Sequence, residues 1–169
     1  MKKIMFNDKY GLTEAVLEGR KTMTRRIVPG KLVEAIEGGV PGYAVMESKY
    51  KVGEVVAVAQ SYKDVIYTGE LPHPLVAKPG WANKMYVRAD LMPHQIRITN
   101  VRVERLQDIS DEDCLREGIE KDGEVYSFND YEGYKNPRNA FAELIDRVSG
   151  KGTWLYNPFV FVYEFELVK

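Results

Sequence analysis

A short basic stretch near the start of the chain, GRKTMTRR at residues 19–26, gathers the side chains best suited to chemistry. Its lysine and arginines can bind phosphate or carboxylate groups, because ammonium and guanidinium groups donate strong hydrogen bonds to charged oxygens. Thr24, one of its two threonines, offers a hydroxyl that becomes a nucleophile when a neighbouring base removes its proton. The same composition also fits a plainer interpretation, a cationic helix end that leads into an edge strand.

The backbone between Lys21 and Thr24 decides whether these two side chains can act together. We predict a helix over residues 10–20 that stops at Gly19, followed by a strand. In a regular strand Thr24 and Arg26 share one face, and Lys21 lies on the opposite face. Lys21 and Thr24 can therefore form one site only if the backbone after Gly19 is bent.

The composition of the whole chain limits the classes of function. Its 169 residues fit a single domain over residues 1–169, and the formal net charge of -1 disfavours a protein that coats nucleic acid without specificity. With Cys114 as the single cysteine and two histidines, neither a disulfide framework nor a structural zinc is expected, and we predict no metal and no cofactor. The N-terminal segment lacks a signal-peptide pattern and no apolar run could span a bilayer, so we expect a cytoplasmic protein without a membrane partner.

The elements that must position the basic stretch are short strands with single helices between them. This order predicts an α+β fold and disfavours a doubly wound parallel sheet. Further strands are predicted at 3–6, 54–62, 84–89, 96–106 and 157–168, further helices at 108–119 and 136–148, and long connections at 30–52, 68–82 and 121–135. The apolar alternation over 96–106 slips by one residue, which indicates a β-bulge of the kind common in barrels. We therefore predict a small mixed β-barrel with short helices at its openings.

Two of the predicted helices have clear start signals. Ser110 is suited to cap the helix over 108–119, which Gly118 would end. Asn136 is suited to cap the next helix, and Pro137 fits its first position because proline lacks an N–H that would be left unpaired there.

The stretch at 19–26 resembles the G-x-K-x-x-x-x-R signature of the ASCH domain family through Gly19, Lys21 and Arg26. The short amphipathic helix before it, RVERLQDISDEDCLREGI at 102–119 and the closing NPFVFVYEFE extend the resemblance over essentially the whole chain, towards the long bacterial and phage-type members. The resemblance implies a PUA-like fold, in which a β-barrel carries a cleft lined by the signature residues. It also implies a relationship to RNA-binding PUA domains.

One group of ASCH proteins, which is similar to this chain in its GRKT-x-T sequence, removes the acetyl group from N(4)-acetylcytidine. The resemblance implies that Lys21, Thr24 and Glu117 are catalytic. Thr24 would attack the acyl carbon, Lys21 would act as its base if burial lowers the lysine pKa, and Glu117 would orient Lys21 or shuttle a proton. Arg26 would hold the substrate or stabilise developing negative charge. This chain is longer than those amidohydrolases, with insertions at 30–52 and 61–83.

Four further residues are predicted to contact the substrate. Arg25 and Gly19 belong to the basic stretch, Gln60 ends a buried strand, and Trp81 lies in a loop rich in proline and glycine, where its ring is suited to stack on a base. Each also fits a structural role, and Glu117 fits a solvent-facing position near a helix end equally well.

We expect the ligand to be a nucleoside or RNA bound in a basic cleft. A nearly neutral chain suits a small ligand better than long RNA, which favours the amidohydrolase over its alternative, a non-catalytic module that binds RNA or a modified nucleotide. A protein-interaction module with a vestigial cleft is a third interpretation. Nothing in the sequence indicates an oligomeric state.

Overall fold

The computed structural model describes residues 1–67, 69, 75, 78–129 and 133–169. Its strands are β1 (Lys3–Ile4), β2 (Met23–Ile27), β3 (Val55–Val58), β4 (Gln95–Arg105), β5 (Glu120–Asp122), β6 (Val125–Ser127) and β7 (Phe159–Leu167). Five of them form one mixed sheet in the order β1-β3-β4-β7-β2, and β5 and β6 form a separate hairpin. Only β1 and β3 pair in parallel within these sheets; the other pairs are antiparallel.

The α-helices of the described residues are short, apart from one. They are α1 (Leu12–Leu17), α2 (Gly30–Glu37), α3 (Pro41–Met46), α4 (Tyr62–Tyr67), α5 (Asp111–Arg116), α6 (Pro137–Ser149) and α7 (Thr153–Tyr156). The two predicted start signals are confirmed. The Ser110 hydroxyl accepts a hydrogen bond from the Asp113 N–H at 3.1 Å, and the Asn136 side chain accepts one from the Asn139 N–H at 2.8 Å.

The two longest strands, β4 and β7, form the middle of the sheet and carry the predicted irregularity. Their register shifts between Ile98 and Asn100, which confirms the bulge inferred from the slip in the apolar pattern. The bulge lets one strand face its apolar side chains inward on both sides of the irregularity.

The α+β class is confirmed, but the prediction of a closed barrel is wrong. In the described part of the chain the sheet is open, with β1 and β2 as its two edges. Closure requires the edge strands to pair in a compatible stagger, and β1 is only two residues long. The apolar alternation predicts that the sheet curls, but it carries no information on pairing between two distant edges.

Several local predictions are also corrected. The connection at 30–52 contains α2 and α3, because the glycines taken as loop residues lie at the helix ends, and Pro41 occupies the first turn of α3. The strand predicted at 54–62 ends at Val58, and α4 follows it. The strand predicted at 84–89 is a 3-10 turn at Lys84–Tyr86, whose start the Asn83 side chain caps.

The connection at 121–135 contains part of the β5–β6 hairpin, which turns at Gly123 with a φ of 64°. Parts of the predicted connections at 68–82 and 121–135, and of the insertion at 61–83, lie outside the described residues.

The main hydrophobic core combines buried side chains of the sheet with those of α1, α2, α3, α5 and α6. Along α6, Ala140, Phe141, Leu144 and Ile145 are buried in this core, whereas Val148 near the end of the helix is exposed. A second, smaller cluster lies near β3, consisting of Ala57, Ala59, Tyr62, Val87 and Met92. Because β2 is an edge strand, the basic stretch runs along one edge of the sheet that this core supports.

Candidate functional site

A cavity of about 370 Å³ lies along β2, between the segment 5–7 and α6. Apolar side chains of α6 close one side, and the polar lining consists of Asn7, Lys21, Thr24, Arg25, Arg26, Glu117 and Ser149. Consecutive residues of a strand point to opposite faces, yet all of residues 24–27 line this cavity. The cavity therefore follows the edge of β2 and not one face of the sheet.

Lys21 and Thr24 line the same cavity because the backbone between them is bent. Gly19 takes a φ of 78°, which places it in the left-handed region that glycine adopts without strain. The N–H groups of Arg20 and Lys21 both donate to the Ala15 carbonyl, so Lys21 still belongs to the turn after α1. The strand begins only at Met23.

The Lys21 ammonium is held by three acceptors. Its Nζ donates to the Met23 carbonyl at 2.7 Å, to the Glu117 carbonyl at 2.8 Å and to Glu117 Oε2 at 2.8 Å. An ammonium group has three N–H donors, so each acceptor takes one of them. With an exposure of only 3%, Lys21 is a buried and fully hydrogen-bonded cation.

Burial and the neighbouring charges act on the pKa of Lys21 in opposite directions. Burial lowers the pKa below its ordinary value of 10.5, and the attraction of Glu117 partly offsets this. Arg26 and Arg25 add repulsion, which lowers the pKa further. The net pKa of Lys21 is lowered, which is the direction that a lysine needs if it is to act as a base.

Glu117 is buried and does not face solvent. It follows the last turn of α5, and the next residue, Gly118, takes a φ of 113° that turns the chain away. Its two carboxylate oxygens are divided between two cations: Oε2 accepts from Lys21 and Oε1 accepts from Arg25 Nη1 at 3.0 Å. Lys21, Thr24 and Glu117 therefore line one cavity.

The Arg25 side chain lies behind Glu117, with an exposure of 0%. Besides Glu117, its guanidinium contacts Glu104 Oε1 at 2.6 Å and Asp113 Oδ2 at 3.3 Å. Burial opposes its charge, but the attraction of Glu117 and Glu104 outweighs burial and raises the pKa of Arg25. No sequence pattern indicates Glu104 and Asp113 as partners, because they come from β4 and α5 and meet Arg25 only in the fold.

Thr24 is buried at the cavity wall, with an exposure of 5%. Its Oγ1 makes no hydrogen bond among the described residues. The Lys21 ammonium donates to other acceptors and not to this hydroxyl. The hydroxyl is therefore free to meet a ligand in the cavity.

Arg26 lies on the same strand face as Thr24. Its Nη2 donates to the Met5 carbonyl at 2.7 Å, and its guanidinium carbon lies 5.7 Å from the centre of the Phe6 ring. The Lys21 Nζ lies 5.8 Å from the same ring. The Phe6 ring thus contacts two cations of the cavity. No sequence pattern indicated this contact, because Phe6 precedes α1 and lies outside the basic stretch.

The backbone of β2 also contributes to the cavity. The Thr22 carbonyl accepts from the Phe165 N–H at 2.9 Å, and the Val28 N–H donates to the Phe159 carbonyl at 3.0 Å. Hydrogen-bonded positions alternate along an antiparallel pair, so the even-numbered residues of β2 face β7. The backbone N–H and C=O groups of Arg25 and Ile27 consequently point away from β7, along the edge that the cavity follows.

The other predicted substrate contacts lie elsewhere. Gly19 forms the turn before Lys21 and does not line the cavity. Gln60 lines a different cavity beside Asp8 and Asp64, where its Oε1 has no hydrogen-bond partner among the described residues. Trp81 packs against the smaller hydrophobic cluster near β3. The structure therefore brings Arg25 and Arg26 to the cavity of Lys21, but not Gly19, Gln60 or Trp81.

The described residues contain neither a metal-binding cluster nor a membrane-spanning helix. In residues 1–67, 69, 75, 78–129 and 133–169, no group of three or more His, Cys, Asp or Glu side chains could hold a metal ion. Burial raises the pKa of the Cys114 thiol to about 12, so this cysteine is not a reactive thiolate. No helix within the described ranges is both long and apolar enough to cross a membrane.

Comparison with known proteins gives similarity in structure only. No family model and no curated protein matches the chain. The chain is similar to protein EF3133 from Enterococcus faecalis V583, described with the family model DUF984, at a TM-score of 0.50 and 15% identity, covering 99% of this chain and 80% of that one. It is also similar to an ASCH domain from Lactobacillus crispatus JV V101, at a TM-score of 0.42 and 16% identity, covering 96% and 76%.

At 15% identity the likeness to EF3133 concerns the fold and not the activity. The chain therefore shares the overall fold of EF3133, and the PUA-like fold expected from the ASCH resemblance stays a prediction. The assignment of Gly19, Lys21 and Arg26 to the family signature stays a prediction.

Proposed function

We propose that the chain is an amidohydrolase that removes an acyl group from the exocyclic nitrogen of a nucleoside, with N(4)-acetylcytidine as its model substrate. The observation that carries the proposal is the buried Lys21–Glu117 pair, which lies in the same cavity as the unengaged Thr24 hydroxyl. A nucleophile, a candidate base with a lowered pKa and a carboxylate that orients the base are the groups that acyl transfer requires.

The proposed reaction has two stages. In the first, Thr24 Oγ1 forms a bond to the acyl carbon while the neutral Lys21 amine takes the hydroxyl proton. The amide C–N bond then breaks, and that proton passes to the leaving exocyclic nitrogen, directly or through Glu117. In the second stage a water molecule hydrolyses the acyl-threonine ester, which releases the carboxylic acid and restores Thr24.

Lys21 must be neutral before it can take a proton from Thr24. Burial favours the neutral amine, but the three acceptors around Nζ favour the ammonium. The proposal therefore requires a proton to leave Lys21 and one of these contacts to be released when substrate enters. Arg26, on the same strand face as Thr24, would hold the substrate.

The second candidate function is non-catalytic binding of RNA or a modified nucleotide. It is favoured by the same three contacts, because a lysine whose donors all have protein acceptors is suited to maintaining the shape of a site. In this case Arg26 and the free backbone edge of β2 would bind the ligand, and Thr24 would only donate or accept a hydrogen bond.

One experiment separates the two candidates. Purified protein is incubated with N(4)-acetylcytidine, and release of cytidine is measured for the wild type, Lys21→Ala and Thr24→Ala. The amidohydrolase proposal expects turnover by the wild type and none by either variant. Turnover that survives in both variants removes the proposed roles. Absence of turnover, together with RNA binding in a filter assay that Arg26→Ala weakens and salt reduces, supports the binding module.

A further inference from the structure

A second cavity adjoins the first one beyond Arg26. Its volume is about 340 Å³, and Arg26 and Ile27 line both cavities, so these two residues form a shared wall. The rest of its lining comes from β7 and from the segment 29–50, which contains α2 and α3. The segment 29–50 therefore builds a compartment next to the proposed reaction site.

The charges around the second cavity are mostly positive. Arg26, Lys31 and Lys49 line it, opposed by the single carboxylate of Glu47. Lys31 and Lys49 are exposed, and none of the ion pairs among the described residues uses either of them. Lys49 Nζ lies 5.4 Å from the centre of the Tyr50 ring, which holds this ammonium beside the cavity wall.

The aromatic side chains of the second cavity are not suited to stack on a base. Tyr50 is 4% and Tyr163 is 1% exposed, and their rings meet edge to face with centroids 5.2 Å apart. They form one wall of the cavity, and its positive charge comes from Arg26, Lys31 and Lys49. The compartment therefore suits a small anionic group better than a second nucleobase.

We propose that the second cavity binds a phosphate group attached to the nucleoside in the first cavity, through Lys31 and Lys49, so that the preferred ligand is a nucleotide. Arg26 lies between the two compartments, where the ribose would connect base and phosphate. The inference rests on the proposed function in one respect, since it assumes that a nucleoside occupies the first cavity. The phosphate could belong to a free nucleotide or to the backbone of RNA.

The test compares binding of cytidine and cytidine 5′-monophosphate by calorimetry, so it does not depend on turnover. We expect the wild type to bind the monophosphate roughly tenfold more tightly or better, and the Lys31→Ala/Lys49→Ala double variant to lose that preference while its affinity for cytidine is unchanged. Both lysines are exposed, so the double variant is expected to fold as the wild type does.

Three further measurements sharpen the test. Lys63→Ala, which removes an exposed lysine of α4, should leave the preference intact, whereas Glu47→Gln should increase it because a repulsive carboxylate is removed. A short oligocytidylate that binds more tightly than the monophosphate identifies RNA as the source of the phosphate, and equal affinity identifies the free nucleotide. Equal affinity of the wild type for cytidine and its monophosphate overturns the proposal, as does a preference that persists in the double variant.

The two proposals can fail independently. If the protein prefers the monophosphate but does not deacetylate N(4)-acetylcytidine, the phosphate site is supported and the proposed reaction is refuted. If deacetylation responds to substitution of Lys21 and Thr24 but the protein does not prefer the monophosphate, the reaction is supported and the phosphate site is refuted.

Discussion

Lys21 and Glu117 are joined twice, since the Lys21 Nζ donates to the Glu117 side-chain Oε2 and to the Glu117 backbone carbonyl, both at 2.8 Å. The side-chain bond balances the charge of the lysine, and the backbone bond attaches it to the end of α5. Two segments almost a hundred residues apart are thereby fixed to each other at the floor of the cavity. The position of α5 therefore sets the position of the candidate base.

The role of Thr24 can be tested without disturbing the fold. We expect Thr24→Val to lower kcat for N(4)-acetylcytidine by roughly a thousandfold or more, because the nucleophile is lost. The free energy of unfolding should change by no more than about 1 kcal/mol, since the hydroxyl has no partner in the described structure that would be left unpaired.

Thr24→Ser is the matched variant, because it keeps the hydroxyl and removes only the methyl group. It should retain measurable turnover, and its acylated form should be visible by intact-protein mass spectrometry. Equal rates for Thr24→Val and the wild type would show that the hydroxyl does not form the acyl intermediate.

The pH dependence of the reaction should follow the charge of Lys21. The base form increases with pH up to the lysine pKa, which burial lowers from 10.5, so kcat should rise with pH and level off below 10.5. Glu117 is the main group that raises this pKa. We therefore expect Glu117→Gln to move the rising part of the profile to lower pH, whatever its effect on the maximum rate.

Arg26→Gln provides a control of opposite sign. Arg26 repels the Lys21 ammonium and lowers its pKa, so removing this charge should move the rising part of the profile to higher pH. Profiles that stay in the same place in both variants would identify a group other than Lys21 as the base.

Arg25 is expected to stabilise the fold more than any exposed arginine. Arg25→Met removes the buried cation that Glu117, Glu104 and Asp113 share. Glu117 keeps Lys21 and the other two keep Arg102, so we expect a loss of roughly 3 kcal/mol, the low end for a broken buried ion pair. The measurement is urea unfolding followed by circular dichroism. Arg97→Ala, which removes the exposed pair with Glu166, should cost no more than about 1 kcal/mol. Similar losses for the two variants would mean that the charges around Arg25 relax into solvent.

Gly118 is expected to be required at the end of α5. Its φ of 113° is strained for any residue with a side chain, and an added Cβ would lie 3.2 Å from Leu12 Cδ2. We expect Gly118→Ala to lower the free energy of unfolding by roughly 2 kcal/mol and to reduce turnover, because the adjacent Glu117 carbonyl would shift away from Lys21.

Gly123→Ala is the control for Gly118→Ala, because it introduces backbone strain without a packing contact. Gly123 also has a positive φ, of 64°, but nothing lies within 4 Å of its added Cβ. Its substitution should cost roughly 1 kcal/mol and leave turnover unchanged. A turnover loss as large as that of Gly118→Ala would contradict a specific role for the end of α5.

The sequence predicts the local turns and helix caps around this site better than the contacts between residues that are distant along the chain. The stop at Gly19 and the caps at Ser110 and Asn136 follow from backbone chemistry that acts within a few residues, and the structure confirms them. The contacts of Arg25 with Glu104 and Asp113 depend on strand order and on the docking of α5. No spacing in the sequence encodes these distances.

The helices at 30–52 were missed for a related reason. Glycines indicate turns when taken one by one, but Gly30 and Gly38 lie at the two ends of α2. Between them Leu32, Val33 and Ile36 have helical spacing, and Leu32 is buried. The placement of Gln60 away from the cavity likewise depends on the end of β3 at Val58, which the apolar run alone does not mark.

Because the sheet is open, one edge of β2 has no strand partner, whereas in a closed barrel that edge would be paired. Unpaired strand edges are ordinarily a hazard, because they can recruit strands from other molecules and start aggregation. Here the segment 5–7 and α6 flank this edge and enclose beside it a cavity of about 370 Å³, the size of a small-molecule site. A ligand there would occupy the vacant place of a sixth strand, and its arrival should slow hydrogen exchange at the amides of Arg25 and Ile27.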